Sequence, residues 1–328
     1  MKKLLIAIFM FSFLFCKISY SNQMAQINKK DVLNINSIKN KYLDLKYSDI
    51  SESQKLDIYL PEIKKAKYPV IVFIHGGAWI SGDKRENFSL PILRGLKEGY
   101  AVVSINYRLS GEATFPAAIE DAKAAIRYIK ANAQKYKLDS DKIIVFGRSS
   151  GANIAALVGT TSGTTKFDNP ELGNENFSSS VNGVVLWFPP INLLTMDAEL
   201  KSLGIKGQLR GAPGEQENNM EDGEIHGAAN SPASLYMGNK LSNVPELVAE
   251  NNPTNYITAN VPPFFIEHGS ADNVVPYIQS IKFAEKLKEK SKNKVEIRII
   301  LGAKHGGPEF TTQENLNDIY KFINSISK

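Results

Sequence analysis

One cysteine, Cys16, stands among 328 residues, with only four histidines and two tryptophans. The four histidines, His75, His226, His268 and His305, are the whole supply for any imidazole chemistry. Charge of one sign is also scarce, with 39 Lys and Arg set against 34 Asp and Glu for a net charge of +5. Three of the basic residues, Lys2, Lys3 and Lys17, lie in an acid-free opening stretch, so the rest balances at about +2. That is too weak to argue for nucleic acid or an anionic membrane as partner. There is no internal repeat and no linker marked by a break in composition. With 43% hydrophobic and 22% charged residues, disorder, collagen-like repeat and coiled coil are excluded as whole-chain readings. A chain of this length can bury a core that needs no disulfides.

The apolar run Leu4 to Phe15 follows Lys2-Lys3 and precedes Lys17-Ile18-Ser19-Tyr20-Ser21. A basic start, a short apolar run and small residues at a cleavage point read as an export signal over residues 1–21. The run is too short to span a bilayer well, since a transmembrane helix needs about 20 apolar residues. Cleavage is expected after Ser21, which leaves a mature chain without cysteine and hence without disulfide, thiolate nucleophile or thiolate metal site. Such a protein is secreted or periplasmic. Cys16 as a lipid acceptor is the alternative, against which stands Phe15 where a small residue normally precedes the cysteine. Residues 22–40 read as a polar lead-in, and 41–328 as one domain.

Short apolar runs recur through that domain: Leu56–Leu60, Val70–Ile74, Ala101–Ile105, Ile143–Phe146, Val184–Phe188, Phe264–Ile266 and Val295–Ile300. Most do not alternate, which suits strands covered on both faces, as in a parallel sheet. Helical patterns lie between them, over Pro116–Ala133, Ala152–Val158, Tyr277–Lys290 and Glu314–Ile326. Alternation of strand and helix predicts an α/β fold, with function at the carboxyl ends of the strands. The stretch 192–261 breaks the rhythm and is rich in Gly, Asn, Glu and Asp near its middle. It reads as an insertion over the sheet edge, a candidate lid or substrate wall, with a merely solvated loop as the alternative.

Gly147-Arg148-Ser149-Ser150-Gly151 fits Gly-x-Ser-x-Gly. The pattern is weak alone, but a buried strand precedes it and an Ala-rich helix follows, which is the context of a nucleophile elbow. Ser149 is the nucleophile candidate, and the Ser150 N–H at the helix start can stabilise an oxyanion. His75-Gly76-Gly77-Ala78-Trp79 follows an earlier strand and has the form of an oxyanion loop, with Gly77 and Ala78 the best N–H donors and Gly76 next. His75 precedes the serine and reads as a structural hydrogen-bonder. The base should follow the serine. His305, in the loop after the last apolar run, is the choice over His226 in the polar insertion and His268 at a strand end. Asp272, between a strand and a helix, is the candidate to orient it, with simple helix capping as the competing reading.

These motifs make the chain resemble the α/β-hydrolase superfamily, in particular the bifunctional feruloyl and acetyl-xylan esterase group of carbohydrate esterases. The likeness runs from about Leu43 onward. It extends to Gly82-Asp83-Lys84, Asn106-Tyr107-Arg108-Leu109-Ser110, Phe115-Pro116-Ala117-Ala118-Ile119-Glu120-Asp121, Ser231-Pro232-Ala233 and Asn252-Pro253-Thr254-Asn255-Tyr256. The chain departs from the pattern at Arg148 before the serine, at Ala78 in place of a third glycine, and at Pro189-Pro190-Ile191-Asn192, where the family often has Gly-Pro-Thr-Asp. Arg148 could steer substrate charge or turn away into a salt bridge.

The resemblance implies an α/β-hydrolase fold with a mostly parallel sheet, helices on both faces, and the insertion after the sixth strand. It implies ester hydrolysis by Ser149, Asp272 and His305, with a small-molecule or oligosaccharide ester as substrate and no metal or cofactor. A generic short-chain carboxylesterase is the first alternative. An arylformamidase-like hydrolase and a non-catalytic binding protein on the same scaffold are the others.

Overall fold

The computed structural model describes residues 35–208 and 224–327. The expected export signal with Cys16, most of the lead-in, and 209–223 of the insertion lie outside the described residues.

Three strands form the centre of the sheet. β3 (Tyr68–Ile74) lies between β4 (Ala101–Ile105) and β5 (Leu138–Arg148), parallel to both. β6 (Gly183–Trp187), β7 (Phe264–Gly269) and β8 (Val295–Ile300) continue parallel on one side. β2 (Lys55–Tyr59) pairs antiparallel with β4, and β1 (Lys41–Lys46) antiparallel with β2. The order is β1-β2-β4-β3-β5-β6-β7-β8.

Both faces of the sheet are covered, which accounts for the unbroken apolar runs. Val70, Val72 and Ile74 belong to one core, while Ile71 and Phe73 belong to the other. The first core takes Ala118, Ile119, Ala122 and Ile126 from α1 (Ala117–Ala131), within the helical pattern expected there, and Ile154 and Leu157 from α3 (Ser150–Thr160). A short helix, α2 (Ala133–Tyr136), follows α1. The second core is closed by the 3-10 segment Asn87–Leu96, through Ile92 and Leu93, and by α8 (Gln313–Ile326), through Ile319, Phe322 and Ile323. Each fully buried Ile, Leu or Phe among them contributes roughly 1.5–3 kcal/mol. α7 (Ile278–Lys290) fills the crossover from β7 to β8.

Two features differ from the sequence reading. β1 carries no apolar run, because it is an edge strand with exposed Tyr42, Leu43, Asp44 and Lys46, the charges guarding an open edge. The insertion follows β6 as expected, but its described part does not hang over an edge. It folds into α4 (Met196–Ser202), α5 (Pro232–Met237) and α6 (Pro245–Glu250). Its last turn packs on α3, where Asn153 Nδ2 donates to the carbonyls of Pro190 (3.1 Å) and Asn251 (3.4 Å). Since α3 leaves the central strand β5, this end of the insertion stands over the middle of the sheet, while α4 packs through Glu199 on Gln279 and Lys282 of α7. Among the described residues no helix is long and apolar enough to cross a membrane.

Candidate active site

Ser149 sits between β5 and α3 with φ 52° and ψ −126°, a backbone state costly for any residue but glycine. The neighbours explain how it is held. The Ser149 N–H donates to the Trp187 carbonyl at 2.9 Å. A side chain on Gly147 would come within 2.3 Å of the Gly151 carbonyl oxygen, and one on Gly151 within 2.2 Å of the His75 carbonyl oxygen. Both flanking glycines are therefore required by the close approach of chain to chain.

The loop after β3 lies against this elbow. A side chain on Gly76 would stand 3.2 Å from Ser149 Cβ. Gly77, at φ 110°, accepts from the N–H groups of Ile80 and Ser81 and so closes a tight turn. Ala78 and Trp79 follow with φ of 53° and 60°. The N–H groups of Gly77, Ala78 and Ser150 make no hydrogen bond to another group among the described residues. They are open to a ligand.

The motifs beyond the loop hold it in place. The buried His75 ring donates from Nδ1 to the Gly76 carbonyl at 2.7 Å and stacks on Tyr107 at 4.4 Å. Burial lowers its pKa to about 4, so it stays neutral. The Tyr107 hydroxyl donates to the His75 carbonyl at 3.1 Å. Asn106 binds both Asp83 and the Lys84 N–H, and Arg108 forks onto the buried Asp121 at 2.8 Å. His75 is thus the structural hydrogen-bonder that the sequence suggests, while the other side chains enter the sequence reading through the resemblance alone; Tyr107 holds the loop directly, through His75.

At the far end of the sheet, Asp272 and His305 come from the loops after β7 and β8. The His305 Nε2 lies 2.9 Å from Ser149 Oγ, and its Nδ1 lies 2.7 Å from Asp272 Oδ2. Asp272 does not cap the following helix, since α7 starts at Ile278 after Tyr277 with no side-chain cap; its Oδ1 instead accepts from the N–H groups of Val274 (2.8 Å) and Val275 (2.9 Å) in the loop before that helix. One carboxylate oxygen thus fixes the loop and the other faces His305. Burial works to raise the Asp272 pKa, but the charge of His305 and hydrogen bonds from His268 and His305 hold it well below the ordinary carboxylate value. Burial outweighs Asp272 at His305 and lowers that imidazole below its usual value, so a neutral base is favoured.

His268 is the member of this cluster that the sequence reading set aside. It is fully buried, with Nε2 3.0 Å from the Val275 carbonyl and 3.2 Å from Asp272 Oδ2, and Nδ1 2.7 Å from Ser280 Oγ. The signal available was its spacing, four residues before the acid. Arg148 turns into an ion pair with Glu86 at 2.8 Å and lies over the Phe188 ring.

A cavity of about 40 Å³ opens at Ser149. Ala78, Trp79 and Ser150 form its near side, while Met196, His226 and Val275 lie among its other lining residues. Gly76 and Gly77 are not part of its lining. Among the described residues no group of three or more His, Cys, Asp or Glu could hold a metal ion.

The eight-stranded, mostly parallel sheet with helices on both faces and a strained serine after the central strand is the α/β-hydrolase fold. A bifunctional GH43-CE protein of Bacteroides eggerthii shares it, with 35% identity and a TM-score of 0.74 over 88% of this chain and 38% of that one. A truncated carbohydrate esterase from gut microbiota does so with 29% identity and a TM-score of 0.75 over 90% and 98% of the two chains. Esterase LipC of Mycobacterium tuberculosis is 29% identical over 258 residues, which are 77% of this chain and 57% of LipC. The BD-FAE family profile matches residues 56–287, and the chain belongs to that family. It spans about half the length of the curated relatives it matches.

Proposed function

We propose that the protein is a serine hydrolase of carboxylic esters whose substrates are acetyl or feruloyl esters of plant polysaccharides. The observation that carries the reading is the hydrogen-bond chain Ser149 Oγ, His305, Asp272 beside three unengaged N–H groups. In this mechanism Ser149 Oγ attacks the ester carbonyl while His305 Nε2 takes its proton. Asp272 holds the Nδ1–H tautomer and stabilises the imidazolium. The N–H groups of Gly77, Ala78 and Ser150 stabilise the oxyanion, each donor being worth about 3 kcal/mol in the transition state. Gly76 serves as the close-packed base of that loop. The carbon–oxygen bond to the alcohol then breaks, His305 returns the proton to the leaving oxygen, and water hydrolyses the acyl-enzyme.

The polysaccharide assignment draws its support from the carbohydrate esterase among the similar solved structures and from the basic, apolar and small-residue segments at 1–21, which fit export to where such esters occur. The test is turnover of p-nitrophenyl acetate, acetylated xylo-oligosaccharide and methyl ferulate by the wild type and Ser149→Ala. Loss of turnover in the variant, about 10⁵-fold or more, is expected. A folded wild type inactive on all three substrates overturns the proposal.

A further inference from the structure

The cavity at Ser149 is bounded on one side by the nucleophile and by Ala78 and Ser150, whose N–H groups face an oxyanion in the proposed reaction. His305 does not line it. A base that must protonate the leaving oxygen has the alcohol on its own side of the carbonyl carbon. The substituent that points away from His305 is the acyl group, so the cavity is the place where the acyl chain goes. Its size then becomes informative. A cavity that takes a benzene ring has a volume of about 150 Å³. About 40 Å³ holds a methyl group with little to spare and has no room for an aromatic ring.

The far wall is built from the insertion after β6. Met196 opens α4 and is buried. Asp197, the next residue, accepts from the N–H groups of Ile225 (3.0 Å), His226 (2.9 Å) and Gly227 (2.9 Å), which fixes His226 beside Met196. The Ser231 hydroxyl donates to the His226 carbonyl at 2.6 Å. The turn leading into α4 is tied down as well, because Gln279 Oε1 on α7 accepts from the N–H groups of Ile191 and Asn192, both at 2.7 Å. The wall is thus held by its backbone. The His226 ring itself is buried, and its Nε2 has no hydrogen-bond partner among the described residues. The ring hydrogen-bonds the Val274 backbone, so His226→Ala removes that bond with the volume, whereas Met196→Ala removes volume alone.

We infer that Met196 and His226 close the acyl pocket, limiting the acyl group to about two carbons, so that acetyl esters are turned over and feruloyl esters are refused. This rests on the ester-hydrolase reading and narrows it to one of its two acyl classes. It also gives the insertion a definite task as substrate wall, at residues that the motifs did not single out.

The experiment holds the leaving group constant and varies the acyl chain: p-nitrophenyl acetate, butyrate and ferulate, with the wild type, His226→Ala and Met196→Ala. The wild type is expected to lose about a hundredfold in kcat/KM from acetate to butyrate, and to leave the ferulate untouched. Each alanine variant is expected to raise the butyrate-to-acetate ratio about tenfold or more, through a gain on butyrate. Comparable wild-type rates on acetate and butyrate, or turnover of the ferulate, overturn the inference and leave the hydrolase reading standing. A selective wild type whose ratio moves in neither variant overturns the assignment to Met196 and His226. No turnover of acetate overturns the hydrolase reading itself. The wild-type series needs no variant to fold, and the two alanine variants test the wall independently.

Discussion

Two carboxylates lie five residues apart at the end of β7, both fully buried, and they are driven in opposite directions. Glu267 faces the second core, where its Oε2 accepts from Trp187 Nε1 at 2.8 Å and Asn315 Nδ2 at 2.9 Å, while its Oε1 makes no hydrogen bond among the described residues and meets only the half-exposed Arg298 in a 3.7 Å ion pair. Burial raises its pKa to about 7. Asp272 faces the site, where two histidines and two backbone N–H groups converge on it, and its pKa falls. Burial is common to both and does not decide the outcome. What decides it is the number and charge of the donors that replace water. The strand thus carries an acid that keeps its proton up to the neutral range, and the loop after it carries an anion on the side where chemistry is proposed.

The strongest way to break this contrast is to neutralise the anion. Asp272→Asn keeps the shape but supplies an amide that can misalign the His305 tautomer, and a fall in kcat of about 10⁴-fold is expected on p-nitrophenyl acetate. A variant as active as the wild type would remove Asp272 from the mechanism. Glu267 gives the converse test, read in stability. An acid whose folded pKa lies above its unfolded value of 4.5 disfavours the native state once the unfolded chain ionises. The native protein therefore loses stability as pH rises from 4.5 to about 7, by at most about 3 kcal/mol. Glu267→Gln cannot ionise, so its Tm relative to wild type is expected to climb between pH 5 and pH 8. A constant difference across that range would refute the shifted pKa.

A smaller effect is expected from the donor between the two carboxylates. His268→Gln weakens one hydrogen bond to the Asp272 anion and should lower kcat about tenfold. Because His268 also helps to lower the His305 pKa, the acid limb of the pH–rate profile should move upward in the variant. A purely structural His268 would change protein yield or Tm and leave that limb in place. The smallest effect is the position of the limb in the wild type. His305 must be neutral to accept a proton, and its pKa is lowered, so kcat/KM should rise with pH to a plateau that is reached below the range of an ordinary histidine near 6.5. A limb centred above that value would contradict the burial of the ring.

Much of the fold was legible because the strands covered on both faces are written as unbroken apolar runs. The serine elbow was legible for a related reason: only glycine tolerates the approach of chain to chain at positions 147 and 151. Ser149, Asp272 and His305 could be picked out because each follows an apolar run that forms a strand, and the structure brings them into one hydrogen-bond chain. β1 escaped notice because an exposed edge strand has no apolar run to show. His268 was set aside because a histidine inside a buried strand end looks like packing until the loop returns Asp272 to within 3.2 Å of it.

Local sequence therefore determined the strands, the tight turns and the chemical groups placed at the strand ends, since these depend on the apolar pattern and on backbone sterics within a few residues. Tertiary structure alone decided which histidines meet the acid, whether a buried carboxylate keeps its proton, and how large a cavity the insertion leaves at Ser149. Those properties depend on groups far apart in the chain that share a few ångströms of low-dielectric space, and no local pattern encodes that distance.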